Sequence, residues 1–308
     1  MTRDTASLNP QIAVVVPTCN RPKHVQSIID DLHFQTLVPT IIIVVDSSDS
    51  DDLKETLSTV SQVVYIRSKL KSAAYQRNLG LREILEHYQE CKYVSFIDDD
   101  IRINETYLQE LSYHLIHDYS LAGVSGISQE NFRSKKLDLE RSSIYVDEYF
   151  YRSQGTIDKF VINRPVRNLN SIKSTTWLIG CSLWRISSLR QSQTWFEADF
   201  TRQSLFEDAI FSHRVSHHYE LAVDTRVVFQ HLLESSERPS QMKHGADWVL
   251  NRFRLVTTDL CFNYSGYIAS IIIVFLKSLL RGFRGNTKVG DISAKGLIYG
   301  AARLIRSI

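Results

Sequence analysis

The chain has 308 residues, 43% of them hydrophobic, and a formal net charge of only +2. A chain of this length and composition can bury a large core, either as one α/β domain or as one domain with a tail. Its four cysteines lie far apart and form no CxxC pair, which argues against a disulfide framework or a cysteine-based zinc site and favours a reducing cytoplasm. The polar first residues lack the apolar core of a signal peptide.

The charge is unevenly distributed along the chain. From Phe262 to the end, seven basic side chains accompany one acidic side chain, a net charge of +6, so residues 1–261 carry −4. A basic and apolar tail on a mildly acidic body favours an anionic membrane surface over nucleic acid as a partner.

Residues 1–10 have the polar composition of a flexible leader, and the next 90 residues alternate short apolar runs with helical patterns. The predicted strands are residues 12–16, 41–45, 63–66 and 93–97. The predicted helices are residues 24–37, 53–60 and 73–88. Strands that alternate with helices predict βαβ units and a mainly parallel sheet. Residues 128–170 show no long periodic element, whereas residues 204–219 predict a helix and residues 221–229 a strand.

Three consecutive carboxylates, Asp98 to Asp100, follow the fourth predicted strand. Adjacent negative charges repel one another and strands disfavour aspartate, so the cluster requires a positive partner. Carboxylate oxygens suit a hard divalent cation such as Mg²⁺ or Mn²⁺. The first two strands also end in polar residues, Thr18 and Asp46, and ligands of open α/β sheets bind beyond the carboxyl ends of the strands. We therefore expect a ligand site at this edge. A nucleotide diphosphate bound there would need a cation across its phosphates, and Asp98 to Asp100 can supply the ligands of that cation.

Asp46 and Arg77 are two further candidates for this site. Asp46 can accept a hydrogen bond from a base N–H or a ribose hydroxyl, although an aspartate at a strand end is also a common turn residue. Arg77, near the start of a predicted helix, faces either the same crevice or solvent.

Glu207 and Asp208 lie at the start of the helix predicted over residues 204–219. Ser204 to Glu207 match a capping box with Ser204 as the N-cap, which accounts for Glu207 without any catalytic function. Asp208 is not explained in this way. It lies in the first turn, where the helix dipole keeps a carboxylate ionised, so it is a candidate general base.

Three histidines are candidates for metal binding. His231 follows a predicted strand and either joins a metal or diphosphate site or serves a structural role. His213 and His217 are four residues apart on one helix face, a spacing compatible with a metal. Because no third ligand lies nearby, we interpret them as residues of the helix surface or of a packing contact.

Five motifs, in order, make the sequence resemble the family 2 glycosyltransferases of the GT-A fold. The motifs are VVVPTCNR at 14–21, IVVDSS at 43–48, AAYQRNLG at 73–80, FIDDD at 96–100 and ED at 207–208. The segment from Gly180 to Arg185 also resembles the acceptor-side segment of the family, with Cys181 where a second Gly or Ala is usual. The resemblance covers about residues 12–231. It implies a mixed, mainly parallel sheet flanked by helices, followed by a helical C-terminal tail.

The resemblance also implies a role for each motif residue. Five residues would line the nucleotide and ribose pocket: Thr18, Asp46, Arg77, Asp98 and Asp99. Asp100 would bind the metal directly, and His231 would join the metal or diphosphate shell. Asp208 would deprotonate the acceptor hydroxyl. The implied reaction is an inverting, Mg²⁺- or Mn²⁺-dependent transfer of a sugar from a nucleoside-diphosphate sugar to a saccharide or lipid-linked saccharide, in the synthesis of cell-surface polysaccharide or of a lipid-linked glycan.

On this basis the chain divides into a leader (1–10), a GT-A catalytic domain (11–235) and a helical C-terminal region (236–308). The catalytic domain would comprise a nucleotide-sugar half (11–127) and an acceptor half (128–235). The C-terminal region contains an apolar run that is too short to span a bilayer and is followed by basic residues. This pattern predicts an interfacial helix, a helix packed on the catalytic domain or a contact in a homo-oligomer. We expect a cytoplasmic enzyme at the inner face of the cell membrane.

Other functions fit the sequence less well. A sugar-phosphate nucleotidylyltransferase should have a glycine-rich loop after the first strand, and residues 17–22 contain no glycine. A dinucleotide-dependent dehydrogenase is disfavoured for the same reason. A phospho-acceptor signalling domain would be far shorter and would not explain Glu207 and Asp208. A non-catalytic nucleotide- or glycan-binding protein of the same fold remains an alternative.

Overall fold

The computed structural model describes residues 10–129, 154–167, 170–197, 205–232, 240–283 and 292–307. Its first half is a series of βαβ units, as the sequence predicts. The elements are β1 (Ile12–Thr18), α1 (Pro22–His33), β2 (Ile41–Asp46), α2 (Asp52–Leu57), β3 (Val63–Arg67), α3 (Ala73–His87) and β4 (Tyr93–Ile97). Strands β1, β2 and β4 are buried along their whole length, which is why each appears in the sequence as a mainly apolar run, interrupted in β4 by the buried Ser95.

The second half is less regular. Its elements are β5 (Ile101–Ile103), α4 (Tyr107–His117), β6 (Leu121–Ser128), β7 (Ile172–Thr175), β8 (Cys181–Arg185), α5 (Ile186–Ser192), α6 (Glu207–Ser216) and β9 (Glu220–His231). The helix predicted over 204–219 is present as the shorter α6, and the strand predicted over 221–229 is part of β9. The predicted leader and most of residues 128–170 lie outside the described residues.

The described strands form one mixed sheet with the order β3-β2-β1-β4-β8-β6-β9-β5, and β7 pairs with β9 beside this path. Strands β1 to β4 are parallel, and β8 runs antiparallel to both β4 and β6. Strand β9 runs parallel to β6 and antiparallel to β5 and β7. The predicted α/β fold with a mainly parallel sheet is therefore confirmed.

Helices cover both faces of the sheet, and the alternation of side chains along β1 divides the core in two. Val15 packs in one core with residues of α3 and α6. Val14 and Val16 pack in the other core with residues of α1 and α4. Because both cores meet at the central strands, the carboxyl ends of these strands are held firmly where the site lies.

The C-terminal region is helical, with α7 (Gln241–Thr258), α8 (Tyr264–Phe283) and α9 (Ala294–Ser307). Trp248 and Val249 of α7 are buried in the same core as Val15, so this helix packs on the catalytic part of the chain. In the part of the chain that the structure describes, no helix combines the length and the hydropathy that a membrane crossing requires.

Candidate active site

The carboxyl ends of three neighbouring parallel strands meet at one edge of the sheet. Thr18, the last residue of β1, lies beside Asp46, the last residue of β2, in the register of the pair. Asp98 directly follows β4, which pairs with β1 on its other side. The structure thus brings these residues to the edge at which the sequence predicts a ligand site.

Asp99, the middle carboxylate of the acidic run, faces the protein interior and is 4% exposed. The Thr18 hydroxyl donates a hydrogen bond to one of its oxygens at 2.7 Å, and the Arg21 guanidinium binds the other at 2.8 Å. Burial raises the pKa of Asp99 to about 6, although Arg21 and Thr18 both favour the ionised form. Both oxygens are engaged within the protein, so Asp99 holds the first loop against the acidic run.

Asp100 lies between a cation and an imidazole. Arg21 Nη1 is 3.1 Å from one carboxylate oxygen, and His231 Nε2 is 3.1 Å from the other. His231 reaches this position because β9 pairs with β5, which places His231 opposite Ile101. Burial opposes ionisation of Asp100, but the hydrogen bond from His231 and the charges of His231 and Arg21 hold its pKa below the usual range.

Arg77, near the start of α3, is 3% exposed and joins two acidic groups. One guanidinium nitrogen binds Asp98, and another binds Glu207 at the start of α6. The Asp98 side chain remains 35% exposed, whereas that of Glu207 is 5% exposed. Arg77 therefore connects the end of β4 to the first turn of α6 from inside the protein.

The neighbours of Arg77 in the same motif also make tertiary contacts. The Gln76 amide donates to the backbone carbonyls of Thr18 and Val45 at 2.7 and 2.5 Å. The Asn78 side chain forms two hydrogen bonds with the backbone of Phe196. A Cβ at Gly80 would lie 2.4 Å from Val15 of β1, so only glycine allows α3 to approach the sheet this closely. These contacts fix α3, and with it Arg77, against the strand ends.

The predicted capping box at the start of α6 is wrong. The helix begins at Glu207 after Phe206, whose φ of 78° places it in the left-handed region, and the first turn has no side-chain cap. Ser204 lies outside the described residues. Glu207 instead pairs with Arg77, a long-range partner that a local sequence pattern cannot reveal.

Asp208 lies in the first turn of α6, beside Glu207, and one of its oxygens accepts a hydrogen bond from the Ala209 N–H at 2.7 Å. Burial raises the pKa of Asp208 to about 6, and the Asp98 carboxylate adds to the increase. The nearby Arg77 guanidinium and the backbone N–H groups oppose it. A carboxylate with this pKa, held at a rigid helix start, has the protonation behaviour that a general base needs near neutral pH.

Asp46 has no exposed surface and is held by three neighbours. One oxygen accepts hydrogen bonds from Ser48, and the other accepts them from Tyr65 at 3.0 Å and Arg67 at 3.2 Å. The Arg67 side chain is 38% exposed, so it is the part of this group that a nucleotide can reach.

Gly180 lies just before β8, at the start of the segment that resembles the acceptor side of the family, and it borders Asp98 and Arg77. A Cβ at this position would lie 2.8 Å from an Asp98 carboxylate oxygen and 3.2 Å from Arg77. A side chain here would force the Asp98–Arg77 pair to move, so glycine at this position allows that pair its observed place.

The sequence did not identify several residues of this edge. Arg21, Tyr65 and Arg67 were not singled out, and Glu207 was assigned to a cap. Arg67 could have been identified from its place at the end of the third predicted strand. Strand β3 pairs in parallel with β2, and this pairing places Arg67 beside Asp46. For Arg21 the only signal was its place in the loop after β1, near the acidic run.

The interpretation of His213 and His217 as lacking a third partner is also wrong. Asp259, at the end of α7, lies 3.0 Å from His213 Nε2 and 3.1 Å from His217 Nε2. In sequence it is more than 40 residues away from both histidines, so only the packing of α6 against the end of α7 reveals it.

Comparison with protein families identifies the family to which this chain belongs. The family model for glycosyl transferase family 2 matches residues 13–168, slightly more than half of the chain. The chain belongs to glycosyl transferase family 2. It is therefore a glycosyltransferase, and the nucleotidylyltransferase, dehydrogenase and signalling alternatives are set aside. No curated protein matches this glycosyltransferase in sequence at a significant level.

Solved structures support the same fold. One similar structure is residues 1–349 of S. aureus TarS in complex with UDP-GlcNAc, with a TM-score of 0.55 and 16% identity over 97% of this chain and 81% of that chain. Another is a longer S. aureus TarS chain, with a TM-score of 0.50 and 13% identity over 90% of this chain. The glycosyltransferase described here spans 43% of that longer TarS chain.

Proposed function

We propose that this glycosyltransferase is an inverting, metal-dependent enzyme that moves a sugar from a nucleoside-diphosphate sugar to a hydroxyl acceptor. The observation that supports this most strongly is the position of Asp208. It lies at the rigid start of α6, is linked to Asp98 through Arg77 and Glu207, and has a pKa of about 6. A carboxylate that lies beside the donor edge and forms no ion pair with another described residue is what an inverting transfer needs as its base.

For the donor, we assign the nucleotide to the ends of β1, β2 and β4. Thr18 and Asp46 border the pocket, with Arg67 as the group that contacts the base or ribose. Asp98 is half-exposed and would accept hydrogen bonds from the sugar or ribose, while Arg77 holds it in place from inside. The UDP-GlcNAc bound by TarS makes a uridine diphosphate sugar the first donor to test.

The residues around Asp100 fit a divalent cation. Asp100 and His231 present a carboxylate oxygen and an imidazole nitrogen 3.1 Å apart, and Mg²⁺ or Mn²⁺ commonly takes one or two protein ligands and completes its shell with phosphate oxygens and water. When bound, the ion would neutralise the charge that builds up on the departing diphosphate. Arg21, which contacts the same carboxylate, would contribute a second positive charge at this position.

The transfer needs no covalent intermediate in this scheme. Asp208 accepts the proton of the acceptor hydroxyl as the acceptor oxygen forms its bond to the anomeric carbon. The bond between that carbon and the diphosphate breaks on the opposite face, and the configuration inverts. The nucleoside diphosphate leaves with the electron pair of the broken bond.

Release of nucleoside diphosphate from a panel of nucleotide sugars, with Mn²⁺, Mg²⁺ or neither, tests the donor and the metal together. Asp100→Ala should abolish the increase in donor affinity that the metal causes, as measured by calorimetry. Asp30→Ala, on the exposed face of α1, is the matched control and should bind as the wild type does. Unchanged metal-dependent affinity in Asp100→Ala would contradict the assignment.

We also propose that the C-terminal helices hold the enzyme at an anionic membrane surface, where it would act on a lipid-linked saccharide or on cell-surface polysaccharide. Large apolar side chains recur on one exposed side of α8, with Ile268, Ile272 and Leu276 each about half-exposed. The helix also carries Lys277, and a hydrophobic face next to basic residues is the pattern of a helix that lies in the lipid interface.

Binding to liposomes tests this surface. Wild-type protein should sediment with anionic vesicles at low salt and be released at high salt. The double variant Ile268→Glu/Ile272→Glu should stay in the supernatant. Leu260→Glu, a fully exposed leucine on the turn before α8, should bind like the wild type. A wild-type protein that ignores the vesicles and forms dimers disrupted by the double variant would instead assign this face to a homo-oligomer.

A further inference from the structure

A cluster of two histidines and one aspartate lies away from the donor edge. His213 and His217 lie at the end of α6, and Asp259 is the residue that ends α7. Among the described residues, these three form the one group of histidine, cysteine, aspartate or glutamate ligand atoms close enough to hold a metal ion together. Asp208 lies at the opposite end of α6, roughly 8 to 14 Å away along the helix axis at the usual rise per residue.

The three ligand atoms are 3.0–3.3 Å apart, a few tenths of an ångström closer together than on one face of an ideal zinc tetrahedron. The two Nε2 atoms are 3.3 Å apart, and Asp259 Oδ2 is 3.0 Å from His213 Nε2 and 3.1 Å from His217 Nε2. Zinc bonds of 2.0–2.2 Å give ligand separations of about 3.3–3.5 Å in a tetrahedron. An ion at that distance from all three atoms would lie about 1 Å outside their plane.

Hydrogen bonding alone satisfies this geometry poorly. If both rings donated their Nε2 protons to the same Asp259 oxygen, the two protons would be only about 2.1 Å apart at ordinary hydrogen-bond lengths. One metal ion in place of the two protons removes this crowding and uses all three lone pairs.

The aspartate is oriented as a metal ligand should be. The Cys261 N–H donates to Asp259 Oδ1 at 2.9 Å, which leaves Oδ2 directed at the histidines. Hydrogen bonds of this kind, from a neighbouring group to a metal ligand, fix the orientation of ligands in metal sites. His213 is 7% exposed and packs against the Phe262 ring, so one side of the cluster is closed to solvent.

We propose that His213, His217 and Asp259 bind Zn²⁺, with a water molecule as the fourth ligand. Two imidazoles and one carboxylate suit zinc, whereas the site at Asp100, with a single imidazole, suits an ion that takes its other ligands from phosphate and water. The ion joins the end of α6 to the end of α7, and its role is to stabilise this part of the fold.

Metal content and thermal stability of the whole chain test the site. Protein stripped with a chelator should bind about one equivalent of Zn²⁺, and its melting temperature should rise when the metal is added. His217→Ala should weaken Zn²⁺ binding by at least about 100-fold. The loss of a residue that only hydrogen-bonds to a metal ligand already lowers metal affinity by up to about that factor. His218→Ala, an exposed histidine one residue further along, should bind like the wild type, as should Asp100→Ala.

Cobalt provides a second readout that is independent of stability. The Co²⁺ complex of the wild type should show the visible absorption of a tetrahedral site, His217→Ala should lose it, and His218→Ala should keep it. An unchanged spectrum in His217→Ala would overturn the ligand set. Stripped wild-type protein that takes up no zinc, or a His217→Ala variant that is folded by circular dichroism and binds zinc as tightly as the wild type, would overturn the whole site.

Discussion

Replacing Arg77 by methionine should destabilise the fold and disturb the site, because Arg77 neutralises a carboxylate that is almost completely buried. Methionine preserves much of the volume and removes the charge. Glu207, whose side chain is 5% exposed, then keeps its negative charge without a partner. Asp98 is 35% exposed and can be solvated instead, so most of the cost falls on Glu207.

The magnitude follows from the burial of the pair. Breaking a buried ion pair by removing one partner costs about 3–5 kcal/mol. For a chain of this length, with an unfolding entropy of about 2.1 cal/mol/K per residue, the melting temperature should fall by about 5–8 °C. Arg102→Met is the matched control. Arg102 is 43% exposed and forms a two-point pair with Asp31, whose side chain is 12% exposed, so its loss should cost about 1 kcal/mol, less than the loss of Arg77.

Thermal melts of a double-mutant cycle separate charge from packing. Arg77→Met/Glu207→Gln carries no unpaired buried charge, so it should melt at least about 3 °C above Arg77→Met, which corresponds to about 2 kcal/mol of stability. If Arg77→Met costs no more than Arg102→Met, or if the double variant is as unstable as the sum of the two single variants, the assigned role of Arg77 is wrong.

Two further predictions concern the chemistry. A carboxyl group with a pKa raised to about 6 stays protonated below that pH and cannot accept a proton, so kcat/KM should fall tenfold per pH unit below pH 6. Asp99→Asn should retain this dependence if Asp208 causes it, and a flat profile between pH 7 and pH 5 would exclude Asp208 as the base. Gly180→Ala should lower kcat/KM by at least about tenfold with a change in stability below about 1 kcal/mol, since it displaces the half-exposed Asp98 and not the core. Wild-type turnover in that variant would show that the position of Asp98 is unimportant.

The sequence predicts the first half of this fold well because its signals are local. The strands β1, β2 and β4 are mainly apolar runs, which is the pattern typical of a buried parallel strand. Their polar ends predict the edge of the site, since parallel strands share that edge. The position of Thr18, Asp46 and Asp98 could thus be predicted without coordinates.

The contacts that complete the site are not local, and the sequence gives little warning of them. Glu207 fits a capping box in sequence, yet its partner is Arg77, 130 residues earlier in the chain. In the sequence nothing distinguishes Asp99 from the aspartates on either side of it. In the structure Asp99 lies inside the protein and binds Thr18 and Arg21. The third ligand of the histidine cluster, Asp259, follows only from the packing of α6 against the end of α7.

The most direct test of the proposed mechanism is the turnover of Asp208→Asn with the nucleotide sugar that the wild type uses. Asparagine keeps the shape of the side chain but cannot accept a proton. Transfer to the acceptor should fall by at least about 100-fold, the lower range for the loss of a general base, while donor affinity measured by calorimetry stays within about twofold. Asp30→Asn should transfer at the wild-type rate. Near-normal transfer by Asp208→Asn would contradict the assignment of Asp208 as the base.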